Sequence, residues 1–331
     1  METIGFVGVG RIGMPISQHL IKSGYRVVGW RRSSLAEFKE IGGVPARSPA
    51  EVSAQADVVF SCMPSPEAFS GVMQGPDGLV HSARPGQIFA ELGSHPLSVK
   101  ERQIDPLARK GAAFVDGEIS GTPGMVAARK GVVYLAGDQA ACKKLERVIA
   151  GFADSCLYFG EFGAASKVKL VNNLLVGVHI AAAAEAMALG LKAGVDVGML
   201  IKAVATGSGG STQFGIRAPW MAEKRYLPAQ GMPSDFFYYF HMVHDFAASV
   251  GTVTPMMDRA MEVMQRAVDT GFGDYDHAAL VEVIGGWPRK NPRLARKGSD
   301  GGRKARLKRQ QARSRRLSGK STAARRKRAK R

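Results

Sequence analysis

A glycine-rich turn near the N-terminus constrains the fold of this chain more than any other feature. An apolar run at residues 3–9 leads into Gly8-Val9-Gly10-Arg11-Ile12-Gly13, and an amphipathic segment follows to about Lys22. A G-x-G-x-x-G pattern between a strand and a helix permits a tight turn and the close approach of a pyrophosphate to the helix N-terminus. The pattern therefore predicts a dinucleotide-binding βα unit at the start of the chain.

Apolar strand-like runs and helical patterns alternate through the first half of the chain. Further strands are predicted at residues 25–30, 57–63, 87–92, 112–119, 132–136 and 156–159. This alternation favours a parallel, doubly wound α/β sheet. After Gly163 the sequence changes to one long helical pattern over residues 164–193, and helices with intervening loops continue to about residue 284.

The end of the second predicted strand bears on the choice of cofactor. Proteins that bind NAD usually place an acidic residue there for the ribose hydroxyls. This chain instead reads Trp30-Arg31-Arg32-Ser33-Ser34 and has no acidic residue until Glu37. Two guanidinium groups with neighbouring hydroxyls suit a 2′-phosphate. NADP is therefore favoured, while NAD with merely solvated arginines is the alternative.

A lysine and an amide, Lys169 and Asn173, lie four residues apart in the long helical pattern. This spacing places both on one helix face. The flanking residues are small or apolar, and desolvation lowers a lysine pKa enough for proton transfer near neutral pH. Such a pair is also common on any solvated helix face, so the spacing alone does not identify a site.

Together these motifs resemble the β-hydroxyacid dehydrogenase family, which includes 3-hydroxyisobutyrate dehydrogenase, the glyoxylate/succinic semialdehyde reductases and proteins like 6-phosphogluconate dehydrogenase. The resemblance covers about residues 3–285. It rests on four motifs in order: the glycine loop at residues 5–15, Asp116-Gly117-Glu118-Ile119-Ser120-Gly121-Thr122-Pro123-Gly124, Gly163 with Lys169 and Asn173, and the weaker Met242-Val243-His244-Asp245-Phe246.

The resemblance implies roles for individual residues. Lys169 is expected to be the general acid/base, and Asn173 to hydrogen-bond the same substrate. The expected substrate-binding residues are Ser120, Gly121, Thr122 and Asn172, because a glycine turn with a hydroxyl suits a carboxylate. The expected cofactor-binding residues are Gly8, Gly10, Arg11, Ile12, Gly13, Arg31, Arg32, Ser33, Met63, Pro64, Ser94, His244 and Asp245.

Three positions depart from the family pattern. Gly121-Thr122 stands where the family has two glycines, and Gly93-Ser94 where it has a serine and a threonine. His244-Asp245 replaces a lysine and an aspartate, and histidine is shorter and largely neutral at pH 7. His244 is interpreted either as a cofactor contact or as a core histidine.

The predicted fold is α/β, with a Rossmann-type doubly wound sheet, a long interdomain helix, a C-terminal all-α domain and a disordered basic tail. The predicted boundaries are 1–162 for the NADP-binding domain, 163–193 for the helix that carries Lys169, 194–288 for an all-α dimerisation and substrate domain, and 289–331 for the tail. Residues 289–331 hold 20 of the 46 Lys and Arg residues but one of the 28 Asp and Glu residues, so the rest of the chain is close to neutral.

Three interpretations of the tail remain open: a tether for nucleic acid or another polyanion, a solubilising segment, and a mistranslated C-terminus. Without aromatic residues, any nucleic-acid binding there would be sequence-blind and dependent on salt. Neither the three cysteines nor the histidines show metal-ligand spacing, so no metal is expected. The absence of an N-terminal signal indicates a cytoplasmic protein, and the apolar segment at residues 174–191 is interpreted as a buried helix rather than a membrane span.

The resemblance implies an NAD(P)-dependent 3-hydroxyacid dehydrogenase or reductase that prefers NADP. Its expected substrate is a short β-hydroxyacid or semialdehyde that bears a carboxylate, and the protein is expected to be a homodimer or homotetramer. Two alternatives remain. One is an imine reductase of the same fold, and the other is a non-enzymatic oligomerisation module with a nucleic-acid-binding tail.

Overall fold

An eight-stranded sheet forms the first half of the computed structural model, which describes residues 1–286. Its strands are β1 (Thr3–Val7), β2 (Arg26–Trp30), β3 (Val44–Pro45), β4 (Val58–Ser61), β5 (Ile88–Glu91), β6 (Ala113–Ser120), β7 (Val132–Ala136) and β8 (Ser155–Tyr158). The spatial order is β3-β2-β1-β4-β5-β6-β7-β8. The chain moves outward from β1 to β3 and then returns to add β4 on the other side of β1. The strand order therefore reverses between β1 and β4, where open α/β sheets bind their ligands.

Helices cover both faces of the sheet. They are α1 (Gly13–Lys22), α2 (Ala36–Glu40), α3 (Pro49–Gln55), α4 (Pro66–Gln74), α5 (Leu97–Glu101), α6 (Ile104–Ala108), α7 (Pro123–Ala127) and α8 (Gln139–Ile149). Short 3-10 helices occur at Leu79–Ser82 and His277–Ala279. One apolar cluster includes Ile4, Phe60 and Phe152, and a second includes Val7 and Phe69. Such double coverage is typical of a largely parallel sheet.

The parallel sheet predicted from the sequence is confirmed except at one pair of strands. Strands β6 and β7 are antiparallel, whereas the other neighbouring strands are parallel. A parallel crossover needs a dozen or more residues, usually with a full helix. The connection at residues 121–131 contains only the five-residue α7, so the chain reverses direction there.

A long helix, α9 (Ala164–Lys192), organises the second half of the described chain. It is followed by α10 (Val197–Thr206), α11 (Thr212–Ala222), α12 (Pro233–Ser249), α13 (Pro255–Asp269) and α14 (Leu280–Gly285). By length and apolar composition alone, α9 could cross a membrane. It contacts β6 and β7 at the sheet and also packs against α11, α12, α13 and α14. A Cβ atom at Gly177 would lie 2.9 Å from the ring of Phe240, so the glycine permits close approach of α12.

The predicted α/β class with a long helix and a helical C-terminal region is confirmed. Residues Met1–Gly285 form one compact unit. The boundaries after residues 162 and 193 remain predictions. The tail at 289–331, with the proposed nucleic-acid contact, lies outside the described residues.

Candidate active site

The glycine loop after β1 has one open position and two crowded ones. Gly8 has a φ of +97°, and a Cβ atom there would lie 2.4 Å from the carbonyl oxygen of Cys62. A Cβ atom at Gly13 would lie 2.3 Å from the Gly8 carbonyl oxygen. Gly10 differs, because a Cβ atom there would meet no described heavy atom within 4 Å. The protein's own packing thus requires glycine at Gly8 and Gly13, while Gly10 faces space that a ligand can use.

The start of α1 fits a phosphate group. Its first turn carries no acidic residue, and its N-cap residue, Ile12, provides no side-chain cap. The Ile12 side chain packs against the apolar core, so only its backbone can face a ligand. Free backbone N–H groups at a helix N-terminus bind anions. The loop and this helix end therefore fit the pyrophosphate of a dinucleotide.

The two arginines after β2 have different surroundings. Arg31 donates hydrogen bonds to the carbonyl oxygens of Val9 and Ser34, and its Nη2 atom lies 3.3 Å from Glu37 Oε2. Arg32 and Ser33 are exposed, and within residues 1–286 no hydrogen bond or ion pair engages the Arg32 side chain. The hydrogen-bonding groups of Arg31 are therefore used within the protein, whereas the Arg32 guanidinium is available to a ligand.

A buried carboxylate, Glu91, holds the loops after β4 and β5. Its Oε1 atom accepts backbone N–H bonds from Met63 at 3.0 Å and from Gly93 at 2.8 Å, and its other oxygen accepts the Ser61 hydroxyl. His95 Nε2 lies 3.2 Å from the same Oε1. Burial raises the Glu91 pKa, but the bonds from His95 and the other donors outweigh it and lower the pKa below its ordinary value. An ionised carboxylate thus fixes the Met63 and Gly93 backbones beside the glycine loop, whereas Pro64 is exposed.

Two lysines lie near the end of β6, and they differ in their bonding. Lys169 is 8% exposed, and its Nζ atom donates one hydrogen bond, of 2.8 Å, to the Ile119 carbonyl oxygen. Lys100 is fully buried, and its Nζ atom contacts Asp116 Oδ1 at 3.0 Å, the Gly117 carbonyl oxygen at 2.8 Å and Glu118 Oε1 at 2.7 Å. An ammonium group has three donors. Lys100 uses all of them within the protein, while Lys169 keeps donors for a ligand.

The same contrast holds for the proton affinities of the two lysines. Burial lowers the pKa of Lys169, and the Glu118 carboxylate opposes this only in part. For Lys100, burial also disfavours the ammonium, but Glu118 and Asp116 outweigh it and raise the pKa. Lys169 is therefore the lysine suited to exchange a proton. Its neighbour Lys167 is exposed.

The predicted substrate-binding residues gather around Lys169. Asn172 Nδ2 lies 3.2 Å from Ser120 Oγ. Asn173 is buried, and its amide nitrogen has no hydrogen-bond partner among the described residues. Thr122 Oγ1 accepts the Met125 N–H at 3.2 Å and so caps α7. A buried amide donor without a partner is costly. The Asn173 amide therefore marks a place for a ligand acceptor atom.

The fourth motif lies apart from these contacts. His244 Nε2 lies 2.7 Å from Asp258 Oδ1 on α13, and the His244 side chain is partly exposed. Asp245 is exposed. The interpretation of His244 as a core histidine is therefore wrong. Within residues 1–286, no hydrogen bond joins either residue to the glycine loop or to Lys169.

Several site residues were not predicted from the sequence. They are Glu91, His95, Lys100, Glu118 and Tyr238. The Tyr238 hydroxyl donates a 3.0 Å hydrogen bond to the Ser94 carbonyl oxygen and lies 3.4 Å from His95 Nδ1, which brings α12 to the β5 loop. The sequence did offer one signal for them. Glu91 and Glu118 are acidic residues within otherwise buried strands, and a buried carboxylate needs hydrogen-bond or ion-pair partners. No group of three metal-binding side chains occurs in the described part of the chain.

Family models match both halves of the described chain. Residues 3–160 match a family model described as the NAD binding domain of 6-phosphogluconate dehydrogenase. Residues 163–284 match one described as the NAD-binding region of NADP-dependent 3-hydroxyisobutyrate dehydrogenase. The two models together span nearly all of the described residues.

Individual relatives extend over the same region. L-threonate dehydrogenase from Cupriavidus necator is 32% identical over 288 residues, which covers 86% of this chain and 97% of the relative. Glyoxylate/succinic semialdehyde reductase 2 from Arabidopsis thaliana is 27% identical over 287 residues, or 85% of this chain and 79% of the relative. The crystal structure of a 3-hydroxyisobutyrate dehydrogenase from Salmonella typhimurium is 25% identical, with a TM-score of 0.77 and coverage of 86% and 100%.

Proposed function

The chain belongs to the β-hydroxyacid dehydrogenase family and is an NAD(P)-dependent hydroxyacid dehydrogenase; from this premise we propose that it uses NADP and acts on a short β-hydroxyacid or semialdehyde. Lys169 is the proposed general acid/base. The observation that carries the proposal is the buried Lys169 ammonium, which keeps unused N–H donors beside the unpartnered Asn173 amide. The bound nicotinamide supplies or accepts the hydride.

Lys169 supplies the proton that carbonyl reduction needs. Its ammonium stabilises the negative charge that develops on the substrate oxygen and then protonates that oxygen. In the oxidation direction, the neutral amine accepts the hydroxyl proton. The lowered pKa of Lys169, caused first by burial, supports both roles because the ammonium loses its proton more readily than that of an exposed lysine.

The substrate carboxylate is proposed to bind at the turn after β6. Ser120, Gly121 and Thr122 offer a hydroxyl and backbone N–H groups, and Asn172 already contacts the Ser120 hydroxyl. The Asn173 amide would bind the substrate on the Lys169 side. A short substrate fits this arrangement, because Lys169 bonds to Ile119, the residue directly before Ser120.

The proposed NADP preference rests on Arg32 and Ser33. Both are exposed after β2, and a guanidinium with an adjacent hydroxyl suits a 2′-phosphate. Arg31 contributes indirectly, since its bond to the Val9 carbonyl oxygen joins this segment to the glycine loop. Gly8, Gly10 and Gly13 would hold the pyrophosphate.

A homo-oligomer is proposed with α9 at its interface. Val171 is 55% exposed and Leu175 is 47% exposed, and they lie four residues apart on this helix. Such an apolar pair on one helix face is suited to a second copy of the chain. The cytoplasmic location remains a prediction.

The test is NADPH oxidation with a panel of substrates. We expect turnover with at least one of glyoxylate, succinic semialdehyde, tartronate semialdehyde or methylmalonate semialdehyde. Lys169→Ala should reduce the rate by roughly 10²–10⁴-fold, whereas the matched variant Lys167→Ala should keep it. Equal rates for the wild type and Lys169→Ala would refute the assignment of Lys169. Turnover of a cyclic imine without turnover of any aldehyde would instead favour an imine reductase.

A further inference from the structure

A cluster of buried charges lies behind the proposed catalytic lysine. Lys100, Asp116 and Glu118 are each at most 1% exposed, and Lys100 contacts both carboxylates. Two of the three lie on β6, which is buried along most of its length and whose other residues, apart from Ser120, carry no polar side chain. Burying ionised groups costs several kcal/mol per ion, so such a cluster requires close pairing. The proposed general acid/base role of Lys169 does not by itself explain these three residues.

Glu118 joins three separate segments around the site. Its Oε1 atom accepts Lys100 Nζ at 2.7 Å and lies 3.4 Å from Ser166 Oγ. Its Oε2 atom accepts the Ser94 hydroxyl at 2.6 Å. Both oxygens accept hydrogen bonds, and burial raises the pKa of Glu118 while the neighbouring Lys100 and Lys169 oppose that rise. One residue therefore ties α5, the first turn of α9 and the β5 loop together.

Asp116 fixes the start of α9. Its Oδ2 atom accepts the Ser166 N–H at 2.9 Å, and its Oδ1 atom accepts the Ser166 hydroxyl at 2.6 Å. Ser166 precedes Lys169 by three residues, so the two lie on the same side of the helix. The contacts of Asp116 therefore set the helix rotation that directs Lys169 toward the Ile119 carbonyl oxygen.

The groups that face Lys169 oppose one another in charge. Glu118 on β6 favours the Lys169 ammonium, and Lys100 on α5 disfavours it. Cys62, after β4, also faces Lys169, and burial raises the pKa of its thiol, so it remains neutral. Tyr239 on α12 faces Cys62 and Glu118, and burial raises its pKa to about 12. Glu118 and Lys100 are thus the charged residues that act most directly on Lys169.

We propose that Glu118 and Lys100 are positioning residues for the reaction: a pair of opposite charges that fixes Ser94 and the first turn of α9, which carries Lys169, and whose charges act in opposite directions on the Lys169 ammonium. This inference rests on the proposed role of Lys169. Lys100 pairs directly with Glu118 and favours its ionised form against the effect of burial, so Lys169 is not the only cation near this carboxylate. Lys169 can therefore lose its proton without leaving an unpaired carboxylate in the interior.

Two conservative variants should shift the titration of Lys169 in opposite directions. Glu118→Gln keeps the side-chain shape but removes the charge that favours the ammonium, so we expect a lower midpoint. Lys100→Met removes the charge that disfavours it, so we expect a higher midpoint. A neighbouring charge typically shifts a pKa by about 1–3 units. Damage to packing alone would not produce shifts of opposite sign.

The midpoint is measured on the cofactor-free protein with [¹³Cε]lysine labelling and NMR, and the Lys169 signal is identified by its loss in Lys169→Ala. The alkaline limb of the pH profile for carbonyl reduction should move in the same directions. Glu101→Gln is the matched control, because Glu101 is an exposed carboxylate on the same helix as Lys100. It should leave the midpoint and the pH profile unchanged.

Unchanged midpoints, or shifts of the same sign, in folded Glu118→Gln and Lys100→Met proteins would overturn the inference. If Glu118→Gln does not fold, Glu118→Asp replaces it. Glu118→Asp keeps the charge but shortens the side chain that reaches Ser94. The midpoint of the Lys169 titration should therefore stay near the wild-type value, while kcat/KM falls. A shifted midpoint with unchanged kcat/KM would count against the proposal. A wild-type protein without turnover would refute the proposed function alone, because the NMR midpoints need no substrate.

Discussion

Arg11 Nη2 donates a 2.6 Å hydrogen bond to the carbonyl oxygen of Ala229, which joins the glycine loop to the segment before α12. The next residue, Gln230, accepts the Gly124 N–H at 3.1 Å through its side chain and donates its own backbone N–H to Asp276 at 2.8 Å. Residues 229–230 therefore contact the glycine loop, the first turn of α7 and the helical region. An arginine that sequence reasoning assigned to the cofactor also serves to connect these parts of the chain.

Replacing Arg11 should therefore weaken both cofactor binding and the fold, each by a modest amount. We expect Arg11→Ala to raise the KM for NADPH several-fold. The free energy of unfolding should fall by about 1 kcal/mol, the usual contribution of one hydrogen bond. Steady-state kinetics and urea unfolding measure the two effects. Arg109→Ala, at an exposed position after α6, should change neither quantity.

Arg32 should decide between the two nicotinamide cofactors. Arg32→Ala removes the free guanidinium, and a lost hydrogen bond to a charged group costs about 1.5–3 kcal/mol. We expect kcat/KM for NADPH to fall by roughly 10–100-fold while the value for NADH changes little. Arg31→Ala should instead affect both cofactors, because Arg31 contacts the Val9 carbonyl oxygen. A loss of the same size for NADH and NADPH in Arg32→Ala would count against the predicted NADP preference.

A pair of glycine substitutions separates cofactor binding from folding. Gly10→Ala places a methyl group in space that no described atom occupies, so stability should hold while cofactor affinity drops at least tenfold. Gly8→Ala places a side chain at a positive φ, which costs about 1–2 kcal/mol, and its Cβ atom would clash with the Cys62 carbonyl oxygen. Thermal unfolding with and without NADPH distinguishes the two outcomes. Normal NADPH binding by Gly10→Ala would argue against a pyrophosphate at this loop.

The lowered pKa of Lys169, due mainly to burial, should make both activity and stability depend on pH. Carbonyl reduction needs the ammonium, so its rate should fall as pH rises through the lowered pKa, and alcohol oxidation should rise over the same range. The unfolded lysine keeps its proton up to its ordinary pKa of 10.5, so the unfolded state binds more protons between the two pKa values. The free energy of unfolding should therefore rise with pH in that window.

Lys169→Met removes this titration and serves as the comparison for stability. Urea unfolding at several pH values gives the difference in the free energy of unfolding between the wild type and the variant. The contributions of other groups that titrate in the same range cancel in this difference. The variant should gain stability relative to the wild type below the lowered pKa, and this advantage should shrink as pH rises. A difference that does not change with pH would contradict a perturbed Lys169.

The sequence predicted those parts of the fold that depend on neighbouring residues. The glycine loop was recognisable because strand, turn and helix follow one another directly, and the helical spacing of Lys169 and Asn173 is local as well. The pairing of Arg31 with Glu37 involves a contact over six residues that a motif does not reveal. The two-residue β3 was not predicted because so short a strand has no periodicity of its own.

The charged residues on β6 show what could not be predicted from the sequence. Asp116 and Glu118 belong to a motif that was recognised, yet their partner Lys100 lies on α5, and only the tertiary structure brings it to the strand. The same holds for Tyr238, which reaches Ser94 across 144 residues of sequence. Contacts of this kind depend on how distant elements pack, and no local pattern carries that information.

Helix α9 is long, and its first turn is fixed by the contacts of Asp116 with Ser166. With 29 residues, the helix is about 44 Å long. From Ser166 the helix extends about 39 Å to Lys192, so a tilt of about 5° there would move the far end by about 3 Å. Because α11, α12, α13 and α14 all pack on this helix, a small change around Asp116 would be transmitted to the helices that contact α9.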